Sequence, residues 1–243
     1  MLRKVGITMY GPHSLPWIID QDDISIRIER MSSMIAYHRH CGERTLDKRI
    51  AGMVEEVVVH PVEPMLIHRH PVQFLLIHLA SPIQVAARTT TTIYGTFPLD
   101  IAVMTSDRTS DDPIDVFSAA PMKLTLYGSP DHGMLCRYWI SPIEESPPET
   151  RPLQEGVLRL TLRNDTPRWT QISRVVLRGY DMKLFFDDTT VSMLAVMRIV
   201  GKNLAETDTE NNPLRPGMTR STELMAMGIV KAISRKFMME GDL

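Results

Sequence analysis

The feature that most constrains the fold of this chain is a strict alternation of apolar and polar residues along much of its length. It is clearest in Ile24–Glu29, Phe97–Ile101 and Leu158–Arg163. Because successive side chains of a β-strand point to opposite faces of a sheet, a period of two predicts half-buried strands. The chain is therefore predicted to be mainly β, with an antiparallel β-sandwich-like architecture of one or two units and little helix.

Fourteen strands are predicted from this pattern and from the turn residues between them. They are Ile24–Glu29, Met34–His38, Val54–His60, Phe74–Ala80, Thr92–Phe97, Leu99–Met104, Lys123–Tyr127, Met134–Ile140, Gly156–Arg163, Trp169–Arg178, Met182–Phe186, Val191–Val200, Thr219–Met227 and Ile229–Met238. One short helix is predicted at Leu46–Val54. Pro98 and the preceding threonines predict an edge strand, because proline cannot donate a hydrogen bond to a neighbouring strand.

A segment rich in proline and glutamate suggests a division of the chain. Residues 141–153 include four prolines and three glutamates, a composition that favours an extended connection over a packed core. We therefore expect an N-terminal β unit at 1–140 and a C-terminal β unit at 154–243. The alternative is one continuous domain in which this segment is a long crossover.

Charge and composition limit the function classes. The 27 lysines and arginines nearly balance the 29 aspartates and glutamates, for a net charge of −2, so a nucleic-acid partner has no electrostatic support. No apolar run approaches the roughly 20 residues of a membrane helix, and no membrane segment is expected. The two cysteines do not form a disulfide framework, which favours a reducing, cytoplasmic location.

The first candidate site is the predicted hairpin around residues 124–140, with Tyr127, His132, Arg137 and Trp139 as ligand- or partner-binding residues. Both faces of its second strand are largely apolar, so Arg137 must find a carboxylate or carbonyl groups, or line a pocket beside Trp139. Alternatively, its stem lies along the sheet and its head reaches the edge.

A nucleophilic cysteine is the less favoured interpretation of the same hairpin. Cys136 with His132 as its base would need an exposed thiol with a lowered pKa. Cys136 instead alternates with Met134 and Tyr138, which favours packing in the core.

The second candidate site is a histidine cluster. His38 and His40, and likewise His68 and His70, are two residues apart, so on a strand each pair would share a face and could bind one Zn²⁺. Glu63 is the convenient general base for a metal-dependent reaction. Surface histidines without a metal are the more common case, and no cofactor other than this zinc is predicted.

Several blocks in order along the chain resemble an archaeal family without assigned activity, domain-of-unknown-function family 432. They are Met9-Tyr10-Gly11, Pro61-Val62-Glu63-Pro64, Leu126-Tyr127-Gly128, Cys136-Arg137-Tyr138-Trp139, Gly156-Val157, Asn164-Asp165-Thr166 and Gly179-Tyr180-Asp181-Met182-Lys183. The resemblance implies an archaeal, cytoplasmic setting and supplies no activity. It begins at Met9, which leaves open whether translation starts at Met1 or Met9.

No familiar catalytic motif is found: there is no G-x-S-x-G, P-loop, H-E-x-x-H, C-x-x-C or G-x-G-x-x-G. The leading hypothesis is a non-catalytic binding or interaction module with a protein or small-ligand partner, and sheet edges make a homo-oligomer plausible. The alternative is a metal-binding protein or metal-dependent enzyme. A structural subunit without a ligand is the third class.

Overall fold

The computed structural model describes residues 8–52, 54–67, 70–106, 113–201, 204–225 and 237–238. The fold is mainly β, as predicted, and helical structure in this part of the chain is confined to a 3₁₀ turn at Gly179–Asp181 and to residues 224–225. No helix in the described ranges is long and apolar enough to cross a membrane.

The strands in chain order are β1 (Gly11–Ser14), β2 (Trp17–Gln21), β3 (Ile24–Arg30), β4 (Met34–Cys41), β5 (Arg44–Ala51), β6 (Glu56–Val62), β7 (Leu66–Ile67), β8 (His70–Pro71), β9 (Phe74–Val85), β10 (Thr90–Pro98), β11 (Asp100–Thr105), β12 (Asp115–Phe117), β13 (Leu124–Tyr127), β14 (Met134–Ser141), β15 (Glu155–Asn164), β16 (Thr170–Arg178), β17 (Phe185–Phe186), β18 (Val191–Gly201), β19 (Leu204–Glu210), β20 (Thr219–Arg220) and β21 (Phe237–Met238).

These strands form four larger sheets and one small ladder of β7 and β8. Sheet I has the order β2-β3-β4-β5, sheet II β1-β6-β11-β12, and sheet III β13-β14-β9-β16. Sheet IV has the order β10-β15-β18-β17-β20, with β19 beside β18 and β21 beside β19. Pairing is antiparallel except between β9 and β14 and between β15 and β18.

The alternation predicted from the sequence matches the observed burial. Ile24, Ile26 and Ile28 are buried on β3, while Arg27 and Glu29 between and after them are exposed. One continuous apolar core receives side chains from all four sheets. The sheets therefore pack around a shared interior, as in a sandwich.

The predicted helix at Leu46–Val54 is wrong, because this region contains strand β5. Gly42, with φ of +56°, forms the turn that pairs β5 with β4. The spacing of Leu46 and Ile50 is compatible with a helix and with a strand, because residues four apart share a face in both. Both pack against the core from β5.

The strand predicted at Thr219–Met227 is also too long. Only Thr219–Arg220 pairs as a strand, and residues 224–225 are helical. Most of the strand predicted at Ile229–Met238 lies outside the described residues; Phe237–Met238 alone pairs, with β19.

The predicted edge strand is confirmed, because β10 is the terminal strand of sheet IV. The Pro/Glu-rich segment runs along its outer side, where Tyr94 and Glu144 exchange backbone N–H···O hydrogen bonds of 2.9 Å. Gly95 permits this approach, since a Cβ atom there would lie 2.3 Å from the Oγ of Ser141. The prolines thus lie over a sheet edge.

The division of the chain at 141–153 stays a prediction, but strand pairing favours the continuous alternative. β9 pairs with β16, and β10 with β15, so backbone hydrogen bonds join the segments before and after the division. The buried core also includes Ile77 on one side and Leu160 on the other.

We therefore expect one cooperative unfolding transition for the whole chain. Fragments 1–140 and 154–243, expressed separately, should lack a native near-ultraviolet circular dichroism spectrum, because each loses the partners of its central strands. Two separate transitions in the full chain, or a folded fragment with a cooperative melt, would contradict this expectation.

Candidate functional site

Arg137 lies in the interior of the protein, on strand β14 of sheet III. Its Nη1 atom donates to the Oδ1 of Asp100 at 2.6 Å and to the carbonyl oxygen of Pro64 at 3.0 Å, and its Nη2 atom donates to the Oγ of Ser118 at 2.7 Å. The side chains of Arg137 and Asp100 are both 0% exposed. The arginine has thus found the carboxylate and the carbonyl that its apolar strand requires, and its head does not reach the sheet edge.

Trp139 follows on the same face of β14 and is half-buried. Its Nε1 atom donates to the Oγ1 of Thr96 at 3.1 Å. The indole lines an open cleft of about 610 Å³ between β14 and the Pro/Glu-rich segment, together with Glu144, Glu149 and the ion pair of Arg151 with Glu155. Trp139 therefore meets solvent at this cleft rather than at the hairpin turn.

The other two hairpin candidates lie elsewhere. Tyr127 ends β13 on the opposite face of sheet III, where the guanidinium of Arg174 lies 6.0 Å from its ring centre. His132 is exposed in the turn between β13 and β14. The four residues predicted for this site are consequently spread over two faces and a turn, and their binding role stays a prediction.

Cys136 belongs to a small apolar cluster on the outer face of sheet III, with Phe74, Leu76 and Val176. The thiol is fully buried, and this burial raises its pKa to about 12. A thiol in this environment stays protonated near neutral pH, which supports the core-packing interpretation over the nucleophile.

The two histidines of β4 point outward from sheet I. His38 Nδ1 lies 2.5 Å from the Oδ1 of Asp47, and His40 Nδ1 lies 3.3 Å from the Oγ1 of Thr45. His68 lies outside the described residues, and His70 is described only by its backbone in β8. Within the described ranges, no group of three or more histidine, cysteine, aspartate or glutamate side chains could hold a metal ion. The zinc site stays a prediction.

Glu63, the nominated general base, is turned into the protein. Its Oε2 atom accepts a hydrogen bond of 3.1 Å from the backbone N–H of Leu224. It is therefore engaged with the C-terminal part of the described chain.

The hairpin presents an apolar surface that sequence reasoning missed. Leu124 and Leu126 on β13 are each 46% exposed, and Leu135 on β14, directly opposite Leu126, is 52% exposed. The alternation of Leu124 and Leu126 was visible in the sequence. It could not reveal that these leucines stay about half exposed in the described part of the chain, because their exposure depends on which distant strands pack against the hairpin.

The buried pair of Arg137 and Asp100 gives a testable expectation for stability. Arg137→Met should destabilise the protein by about 3–5 kcal/mol, because the Asp100 carboxylate stays buried without this cation. Asp100→Leu should cost a similar amount, and the double variant less than the sum of the two, measured by urea unfolding as a double-mutant cycle. Arg27→Met, at an exposed pair with Glu29, is the control and should change little. Additive costs would contradict the pairing.

Comparison with known proteins identifies a family for this chain. No curated protein and no solved structure matches the chain. The model of the family described as "Protein of unknown function (DUF432)" matches residues 9–240, which is nearly the whole sequence. The chain therefore belongs to this family of unknown function, as its sequence blocks predicted.

Proposed function

We propose that the protein is a non-catalytic interaction module of the archaeal cytoplasm whose docking surface is the β13–β14 hairpin. The observation that carries this proposal is the exposure of Leu124, Leu126 and Leu135 side by side. Large apolar side chains on a protein surface are usually scattered singly, and a group of neighbours is typical of an interaction site. The two unpaired cysteines, Cys41 and Cys136, support a reducing location.

The position of β13 adds a second line of support. β13 is the terminal strand of sheet III, and within the described residues it pairs with β14 alone. A terminal strand can accept a further strand through backbone hydrogen bonds, while its side chains determine which strand fits.

The partner is a second copy of the same chain. In an antiparallel pair related by a two-fold axis normal to the sheet, Thr125 lies opposite its own equivalent and Leu124 lies opposite Leu126. Leucine then meets leucine on one face. Lys123 lies opposite the ring of Tyr127 instead of a second lysine, so like charges are kept apart. The small net charge of −2 opposes association little.

Leu126→Glu should abolish self-association, because it buries a carboxylate without a partner at the centre of the pair. We expect a dimer for the wild type and a dissociation constant at least about 100-fold higher for the variant, by size-exclusion chromatography with light scattering over a range of concentrations. Ile18→Glu is the matched control: Ile18 is 55% exposed on β2 of sheet I, and its variant should remain dimeric. Circular dichroism checks that each variant is folded.

Cysteine cross-linking tests the register of the pair. Thr125→Cys should form an intermolecular disulfide under mild oxidation, and Ile18→Cys should not. A wild type that is monomeric at every concentration rules out the proposed partner. A dimer that survives Leu126→Glu places the interface elsewhere on the molecule.

A further inference from the structure

Glu63 is a buried carboxyl group whose partners are backbone amides. Its side chain lies in the turn after β6 and the residue is 2% exposed. The carboxyl group accepts hydrogen bonds from the N–H groups of Leu224, at 3.1 Å, and of Met225. Within the described ranges no arginine, lysine or histidine forms an ion pair with it. Glu63 therefore joins two parts of the chain that are distant in sequence.

Further contacts hold the segment Thr219–Met225 against β6 and the residue before β17. Ser221 donates from its Oγ to the carbonyl oxygen of Pro61 at 2.5 Å, and its N–H donates to the carbonyl oxygen of Leu184 at 2.8 Å. At the end of the segment, Met225 is buried in the main core. Opening this segment would break these contacts and give the carboxyl group of Glu63 access to water.

The charges around Glu63 leave its carboxylate poorly stabilised. Glu223 is the nearby like charge, but Lys183, at 2.6 Å, and Arg220 pair with it. Arg137 donates to the carbonyl of Pro64, the next residue, and its charge is paired with Asp100. Burial is the largest influence and raises the pKa of Glu63 to about 7, with the Glu223 charge adding to the rise and the amide hydrogen bonds opposing it.

We propose that Glu63 is a pH-sensitive latch for the segment Thr219–Met225, closed while its carboxyl group is protonated and opening more often when it is ionised. Burying a carboxylate without a counter-ion costs free energy that opening recovers, because the open segment lets water solvate the charge. The closed state binds the proton more tightly than the open state. The closed state therefore becomes less stable as the pH rises from the ordinary pKa of a glutamate to the raised pKa of Glu63.

Hydrogen exchange at the amides of Leu224 and Met225 measures this latch directly. After correction for the intrinsic pH dependence of exchange, the opening constant of the wild type should rise about 10-fold between pH 6 and pH 8. Glu63→Gln cannot ionise and should show no such rise. Glu145→Gln, at an exposed position in the Pro/Glu-rich segment, is the control and should behave like the wild type. The amide of Leu160, in the centre of sheet IV, should keep the same opening constant at both pH values.

An opening constant in the wild type that is equal at pH 6 and pH 8 overturns the latch, as does an equal rise in Glu63→Gln. If Glu63→Gln does not fold, the carboxyl carbon of Glu63 can be titrated by nuclear magnetic resonance in the wild type. A midpoint near 4.5 would overturn the proposal, and one near 7 would support it. Neither result depends on self-association of the hairpin.

Discussion

The arrangement of the sheets depends on the buried ion pair between Arg137 and Asp100. The arginine extends from sheet III and the aspartate from sheet II, and the same guanidinium also binds the turn after β6 and Ser118 beyond β12. Desolvating two charges is expensive, and the hydrogen bonds of Nη1 and Nη2 offset part of that cost, while the buried Nε has no acceptor among the described residues. These contacts favour one relative placement of β11, β14 and the two turns, whereas apolar packing alone would tolerate many placements.

A second buried ion pair, between Arg39 and Asp115, joins sheet I to β12. Arg39 donates from Nε to the Oδ2 of Asp115 at 2.6 Å, and the hydroxyl of Tyr37 donates to the same oxygen at 2.7 Å. The guanidinium also lies 4.8 Å from the ring centre of Phe117. Polar side chains of sheet I thus hold the short strand β12, while Ser118, just beyond it, accepts a hydrogen bond from Arg137. These polar contacts add to the packing of Ile114 and Phe117 in the main core.

The sequence predicted local structure well and long-range structure poorly. Strand alternation is a property of neighbouring residues, and the buried isoleucines of β3 follow it directly. The need of Arg137 for a carboxylate was also predictable, because its strand is apolar on both faces. Its partner was not, since the alternation around Leu99 and Ile101 predicted a solvent-facing Asp100, whereas this side chain is fully buried and Arg137 reaches it from another sheet. Pairing between strands that are distant in sequence cannot be read from a few neighbouring residues. The exposure of the hairpin leucines depends on that pairing and was missed for the same reason.

The central position of β9 has a consequence for how the chain is made. Both neighbours of β9 in sheet III, β14 and β16, come later in the sequence, and one of them lies beyond the Pro/Glu-rich segment. During synthesis this strand, which carries Leu75, Leu76 and Ile77, leaves the ribosome before either neighbour exists. At about 5–20 residues per second it waits several seconds with both edges open. In the nascent chain, the most hydrophobic strand of sheet III is therefore the one whose unpaired edges are exposed longest to pairing with other chains.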